Sequence, residues 1–374
     1  MIIAVNTRAL SGNLAVSRWL VDCVELLAIL QPTNEFIFIA EKKSERNSKN
    51  LKNVKRIILP QQSDNPLLWK LWYNYKLPAL LKKNKVDILI SADGACSLGT
   101  KIPQYLLVND LAFLHYPEWY CKKYVRFTKS NTPACLQKAK LVLTFSSFLM
   151  NDIIKQYRTD ERKISVLPAG TASNCSPLKW EDREAAKEKY AEGKEYFLFS
   201  GAIHTRSNLV NLLKAFSLFK KKQKSNMQLI IASRDISEDA SFVESLKLYK
   251  YRNEVKLMVR IDEDMQKEIN SAAYACINLA PLHNDITSLI FAMQFGVPVI
   301  AGNLFVAIEL LDQAVLFADA SSPEQIAERL MLLYKDEAKR NELGRKAMIQ
   351  SSKYHLSEAA VALWENICIT MQPA

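Results

Sequence analysis

Glycine is scarce in this chain. Nine occur in 374 residues, about a third of the usual frequency of roughly 7%. Loops that cradle phosphate use glycine wherever backbone must approach the ligand, so the shortage argues against an ordinary glycine-rich phosphate loop. Histidine is scarcer still, four in all, and without metal-ligand spacing, so no metal site is expected. The seven cysteines contain no C-x-x-C pair, and most sit in apolar contexts, as at Cys23, Cys276 and Cys368. They read as buried free thiols of a reducing compartment, which excludes a disulfide framework. No apolar run approaches the roughly 20 residues needed to span a bilayer. The opening Met1-Ile2-Ile3-Ala4-Val5-Asn6-Thr7-Arg8 lacks the basic region and cleavage site of a signal peptide. The expected location is the cytoplasm.

Acidic residues are also short against basic ones, 39 against 50, which leaves a net charge of +11. Hydrophobic content of 49% with 24% charged residues excludes a disordered chain. The positive surplus includes clusters such as Lys220-Lys221-Lys222-Gln223-Lys224. It suits a solubilising face, an anionic membrane surface or an anionic lipid-linked substrate. No nucleic-acid motif accompanies it, so nucleic acid is not expected as a partner.

What is present is regular alternation. Strands are expected at 1–7, 35–40, 55–59, 86–91, 104–108, 141–145 and 164–167, with helices at 14–30, 66–84, 121–139 and 147–157 between them. Ser146-Ser147 supplies a hydroxyl cap for the last of these helices. Residues 171–194 are polar and rich in lysine and glutamate, as a connection carrying a short helix would be. The pattern then restarts, with strands at 196–200, 227–232, 255–258, 274–279, 297–301 and 314–317. The helices expected between them are 208–223, 239–250, 263–271, 287–295 and 305–312, and further helices follow. Such alternation implies parallel sheets covered on both faces. The expected fold is α/β, with two doubly wound, Rossmann-like domains facing a cleft. Residues 1–170 form the first domain, 171–194 the linker and 195–354 the second, with a C-terminal helix at 355–374 packing back on the first.

The stretch Asn278-Leu-Ala-Pro-Leu-His-Asn-Asp-Ile-Thr-Ser-Leu-Ile-Phe-Ala-Met-Gln-Phe-Gly-Val-Pro-Val-Ile-Ala-Gly-Asn303 is a strand end, polar turn, apolar helix and second strand. That unit places a ligand site at the C-terminal edge of a parallel sheet. Together with "YFLFSGAIHTRSNLVNLLKAF" at 196–216, "AIELLDQAVLFADASSPEQIAERL" at 307–330, "LLVNDLAFLHYPEWY" at 106–120 and "KLVLTFSSFLMNDIIKQY" at 140–157, it resembles the family 4 glycosyltransferases of the GT-B fold. The resemblance covers nearly the whole chain and rests on the order and spacing of these blocks. It implies transfer of a sugar from a nucleotide-sugar, held in the second domain, to a glycan or lipid-linked acceptor in surface polysaccharide synthesis. No cofactor or metal is implied beyond the donor.

Several family positions hold other residues here. The glycine-rich turn after the first strand matches Ala15, Val16 and Ser17, with Gly12 nearby. The family's histidine-aspartate pair matches Asn109 and Asp110, and asparagine cannot exchange a proton near neutral pH. The Arg-Lys pair facing the diphosphate matches Arg206 and Ser207. The paired glutamates, the second of which accepts hydrogen bonds from ribose hydroxyls, match His283 and Phe291. Gly201, Arg206, Asp110 and Glu309 remain. Asp285, Thr287 and Ser288, at an expected helix start, either hold an anion or cap the helix, and His204 lies on a donor-side loop. Two functions stay open: a hexosyltransferase with a rewritten donor site, or a catalytically silent relative that binds an acceptor or a partner glycosyltransferase.

Residues 65–85 mix Trp69, Trp72, Tyr73 and Tyr75 with Lys70, Lys76, Lys82, Lys83 and Lys85. They fit either an interfacial helix lying peripherally on the inner face of a membrane or an aromatic core helix with a wet lysine edge. Leu68, Leu71, Trp72 and Tyr75 repeat at core-facing spacing, and Pro78 is expected to break the segment.

Overall fold

The structure is a computed structural model that describes residues 1–8, 14–41, 51–60, 65–92, 94–171, 176–234, 240–280 and 283–371. Of residues 14, 15, 205, 240, 241 and 283–286 it describes the backbone. The chain divides into two units, Met1–Ala172 with His355–Ala374, and Ser173–Tyr354.

The first unit is built on seven parallel strands: β1 (Ile2–Asn6), β2 (Glu35–Glu41), β3 (Val54–Leu59), β4 (Ile88–Ser91), β5 (Gln104–Leu107), β6 (Leu141–Thr144) and β7 (Ile164–Val166), in the order β3-β2-β1-β4-β5-β6-β7. Its helices are α1 (Leu14–Leu30), α2 (Pro66–Leu71), α3 (Leu77–Lys83), α4 (Ala112–His115), α5 (Lys122–Lys138) and α6 (Ser147–Tyr157). Central strands such as β1 and β4 are buried along nearly their whole length, because helices cover both faces of the sheet. That is why they read as unbroken apolar runs rather than as alternation. Ser146 caps α6 by accepting from the Leu149 amide at 3.2 Å.

The second unit repeats the scheme with α7 (Trp180–Ala191), β8 (Tyr196–Ser200), α8 (Leu209–Gln223), β9 (Gln228–Ser233), α9 (Ala240–Lys247), β10 (Val255–Val259), α10 (Glu263–Ser271), β11 (Ala275–Asn278), α11 (His283–Gln294), β12 (Val299–Gly302), α12 (Phe305–Leu311), β13 (Leu316–Ala318), α13 (Pro323–Lys335) and α14 (Glu337–Ser351). Its strand order is β10-β9-β8-β11-β12-β13, all parallel. A final helix, α15 (Leu356–Met371), belongs to the first unit. In each sheet the order reverses once, between β1 and β4 and between β8 and β11. Ligands of open parallel sheets bind at such reversals, outside the carboxyl ends of the strands.

Three expectations need correction. Pro78 does not break its helix. The chain widens into a π-helical turn at Trp72–Lys76 and continues into α3, because that turn absorbs the missing proline N–H. The freed Asn74 carbonyl then lies against Gly99, where a Cβ would stand 2.2 Å from it. Of the expected core face of this segment only Trp72 is buried. Trp69, Trp72, Tyr73, Leu77 and Leu81 are buried, whereas Leu68, Leu71 and Tyr75 are exposed. Trp69 packs edge-on against Phe127 and Tyr124 of α5, and the larger aromatic rings take the interior. Finally, Lys220 is no part of a solvated cluster: it is buried and donates to the Ser225 and Met227 carbonyls and to Glu254.

Candidate functional site

In the second unit the site begins where β8 ends. Gly201 follows that strand, and a Cβ there would stand 3.2 Å from the Asn278 side-chain nitrogen and 3.3 Å from the Phe199 ring. Glycine therefore lets the loop after β8 close on the end of β11. Asn278 is buried. Its Oδ1 accepts from the Ala280 amide at 3.0 Å, and its Nδ2 donates to Ser288 Oγ at 3.2 Å, which ties β11 to α11. Cys276, two residues earlier, is no nucleophile for this crevice, since burial pushes its thiol up to about 12.

The loop from Gly201 to Asn208 is held by its own side chains. Ser207 Oγ donates to the Ala202 carbonyl at 2.6 Å and lies 3.1 Å from His204 Nδ1. Arg206 Nε donates to His204 Nε2 at 2.5 Å. Asn208 takes a left-handed backbone, φ 54°, a conformation asparagine tolerates, and α8 follows. Ser207 does not cap that helix: Asn208 stands at the cap, and its side chain makes no capping bond.

Four of the expected donor-side residues thus meet in one place: Gly201 and Ser288 around Asn278, Arg206 and Ser207 around His204. Thr287 lies beside Ser288, but neither is at a helix start, because α11 begins at His283 and both fall in its second turn. Phe291 packs edge-on against Phe295, centroids 5.2 Å apart. Glu309 stands on the exposed face of α12. Its charge adds to the burial that raises the Tyr354 phenol. The side chains of Ala15, His283 and Asp285 and the whole of Gly12 lie outside the described residues.

In the first unit the reversal between β1 and β4 sets Asn6 beside Ser91 in register. Asn6 Nδ2 donates to the Tyr73 hydroxyl at 3.4 Å. Arg8 donates to Glu41 and the Pro60 carbonyl, with its guanidinium 4.3 Å over Trp72. Ser17 lies in the first turn of α1. The Ser17 and Ser91 hydroxyls, Asn109 Oδ1 and the Thr144 hydroxyl are buried without a hydrogen-bond partner. All four are at the C-terminal edge of this sheet, on α1 or at the ends of β4, β5 and β6. A buried polar atom left unpaired costs about 1–3 kcal/mol, so this edge is built with hydrogen-bonding capacity to spare.

Asp110 is committed locally: it accepts from the Ala112 amide at 2.9 Å and from Asn109 Nδ2 at 3.3 Å. The short helix α4 that it starts was not foreseen. Nor was the pair it leads to, His115 Nε2 and Asp152 Oδ2 at 2.7 Å. Both partners are separated by 37 residues, and no local motif announces them. Among the described residues, no three His, Cys, Asp or Glu side chains gather as metal ligands.

Comparison with known proteins adds a likeness to glycosyltransferases. Residues 181–350, within the second unit, match the model for "Glycosyl transferases group 1". The chain is 22% identical over 263 residues to O-antigen chain mannosyltransferase B of Escherichia coli, covering 70% of this chain and 67% of that one. It is 25% identical over 260 residues to O-antigen chain mannosyltransferase RfbU of Salmonella typhimurium, covering 68% and 67%. Among solved structures it is similar to WaaG, a glycosyltransferase involved in lipopolysaccharide biosynthesis, with a TM-score of 0.77 at 15% identity over 98% of this chain and 99% of that one. Residues 181–350 thus resemble a group 1 glycosyl transferase domain, in a chain with the two-domain GT-B fold seen in solved glycosyltransferases.

Proposed function

We propose that the protein is a glycosyltransferase of the family 4 type that adds a hexose, of the mannose class, from a nucleotide-sugar to a glycan or lipid-linked acceptor of the O-antigen kind. The observation that carries this reading is the crevice between β8 and β11, in the domain that matches the family model. There Gly201 lets the loop after β8 close on Asn278 at the end of β11, and Arg206 is held in place by His204. In transfer, the bond from the sugar to the diphosphate breaks as the acceptor hydroxyl oxygen bonds to the sugar and gives up its proton to the leaving phosphate. The leaving diphosphate gathers charge, which the Arg206 cation and the first amides of α8 stabilise. The unpaired polar atoms of Ser17, Ser91, Asn109 and Thr144 suit a hydroxyl-rich acceptor at the edge of the first unit.

The test is thermal melting with millimolar GDP, UDP, ADP and their sugar conjugates. A ligand at 100 times its Kd adds about 2.7 kcal/mol, a rise of roughly 5–10 °C for a domain of this size. A rise with one nucleotide names the donor class to assay. No rise with any of them sinks the reading.

One observation favours a second reading, a silent subunit that binds an acceptor or a partner glycosyltransferase. Phe291, packed edge-on against Phe295, fills the position of the ribose-binding glutamate.

We also propose that the first unit works against an anionic bilayer. Residues 65–85 and 122–138 hold ten Lys and Arg side chains and no carboxylate. Leu67 and Tyr75, each 70% exposed, lie with Leu68 and Leu71 on the open side of the 66–83 helix. Basic side chains near an anionic surface each contribute about 1 kcal/mol, and the leucines add apolar insertion. Among the described residues no helix is long and apolar enough to cross a membrane. The protein should float with vesicles containing phosphatidylglycerol and not with phosphatidylcholine alone. Leu67→Asp with Leu71→Asp should lower that binding at least tenfold, and 0.5 M salt should weaken it. Equal flotation of the double variant removes the proposal.

A further inference from the structure

We propose that His204 is the positioning residue of the donor crevice, a neutral imidazole that aims the guanidinium of Arg206. The proposal rests on the reading of the second unit as the donor-binding unit. It starts from the direction of three hydrogen bonds. Ser207 is buried, and its hydroxyl has one proton. At 2.6 Å from the Ala202 carbonyl, an acceptor only, that proton is committed. The 3.1 Å contact between Ser207 Oγ and His204 Nδ1 then needs the proton on the nitrogen. With Nδ1 protonated, Nε2 carries a lone pair, and it faces Arg206 Nε, a donor only, at 2.5 Å. Arginine donates to histidine, histidine to serine, and serine to the backbone. An imidazolium has no acceptor for the first of these bonds, so the ring is neutral.

Fixing Nε has a consequence for binding. Nε sits on the stem of the side chain, so holding it sets the plane of the guanidinium and the direction of both terminal nitrogens. Those two nitrogens form the fork that matches a pair of phosphate oxygens. An arginine already held in that plane loses less rotamer freedom on gripping an anion. In a chain where Ser207 stands at the expected lysine position, the remaining cation is oriented by its neighbours. The loop backbone is braced from the other side as well, through Asn208 Nδ2 and the Arg206 carbonyl at 3.4 Å.

The experiment is calorimetric titration of the full chain with GDP and with UDP, on the wild type, Arg206→Ala, His204→Ala, His204→Gln, His204→Asn and the double variant of His204→Ala with Arg206→Ala. Unliganded melting of each variant checks its fold. His204→Ala should bind the better nucleotide roughly five- to tenfold more weakly. His204→Gln, whose side-chain oxygen reaches toward the place of Nε2, should recover most of that loss. His204→Asn, which is shorter, should not. The double variant should bind no worse than Arg206→Ala alone, because removing the arginine leaves nothing to position. Wild-type binding that His204→Ala leaves unchanged, losses that add in full, or equal behaviour of the Gln and Asn variants would each overturn the positioning role and leave the donor reading intact. Failure of the wild type to bind either nucleotide overturns the donor reading, and this proposal with it.

Discussion

Replacing Gly170 by alanine should loosen the C-terminal helix from the first unit at a cost of about 3 kcal/mol, the upper part of the usual range for overpacking a filled interior. A Cβ at this position would stand 2.6 Å from the His355 carbonyl oxygen and 2.7 Å from both the His355 carbonyl carbon and Leu356 Cα. All three are backbone atoms, so no side-chain rotation relieves the contact. The Gly170 carbonyl also accepts from the Trp19 indole at 2.8 Å, and Thr171 bridges to His355. Whichever segment moves, one of these contacts is lost. α15 seats Leu356, Ala359, Ala360, Leu363 and Ile367 in the interior, on one helical face, and its shift would disturb that face together with α1.

The expected result is a fall of roughly 6–12 °C in the melting of the first unit, with faster amide exchange along α15 and little change in the second unit. A comparison variant, Gly94→Ala, meets nothing within 4 Å and carries only the strain of a positive φ, 69°. It should cost about 1 kcal/mol. Equal stability of Gly170→Ala and the wild type would mean that the helix is not seated as described.

This packing was partly legible in the sequence, because two doubly wound units follow from strand–helix alternation, and most expected strand ends fall within a residue or two of the observed ones. What failed were choices between two faces that local pattern cannot rank. The 66–83 helix carries two apolar stripes, one of Trp69, Trp72, Tyr73 and Leu77 and one of Leu67, Leu68, Leu71 and Tyr75. Only the presence of Phe127 and Tyr124 opposite the first decides which is buried. α11 begins four residues before its apolar periodicity does, since its first turn is written in polar residues that read equally as a turn. At the site, Gly201, Arg206 and Ser207 were visible because they stand in one short motif. Asn278 was not, because its role is to meet Gly201 and Ser288 from a strand 77 positions further along the chain. His115 and Asp152 were missed for the same reason.

Phe291→Glu should raise nucleotide affinity by roughly 10- to 100-fold, the range of one charge-assisted hydrogen bond at about 1.5–3 kcal/mol. In the glycosyltransferase pattern this position carries the carboxylate that accepts from ribose hydroxyls. Phe291 is only half-buried, so a glutamate there keeps access to water and need not be buried as an unpaired charge. The cost is the edge-on contact with Phe295, about 1 kcal/mol beyond the lost apolar area. The unliganded variant should therefore melt lower than the wild type, while its response to nucleotide is larger. The two effects have opposite signs, so a general change in stability cannot mimic the result. A gain confined to the nucleotide favoured by the wild type would mean that the rest of the crevice is assembled for transfer, with Phe291 as its weakened part. A variant that folds and binds no better would mean that the ribose never reaches α11. The silent-subunit reading would then hold, with the unpaired polar edge of the first unit as the place to look for its ligand.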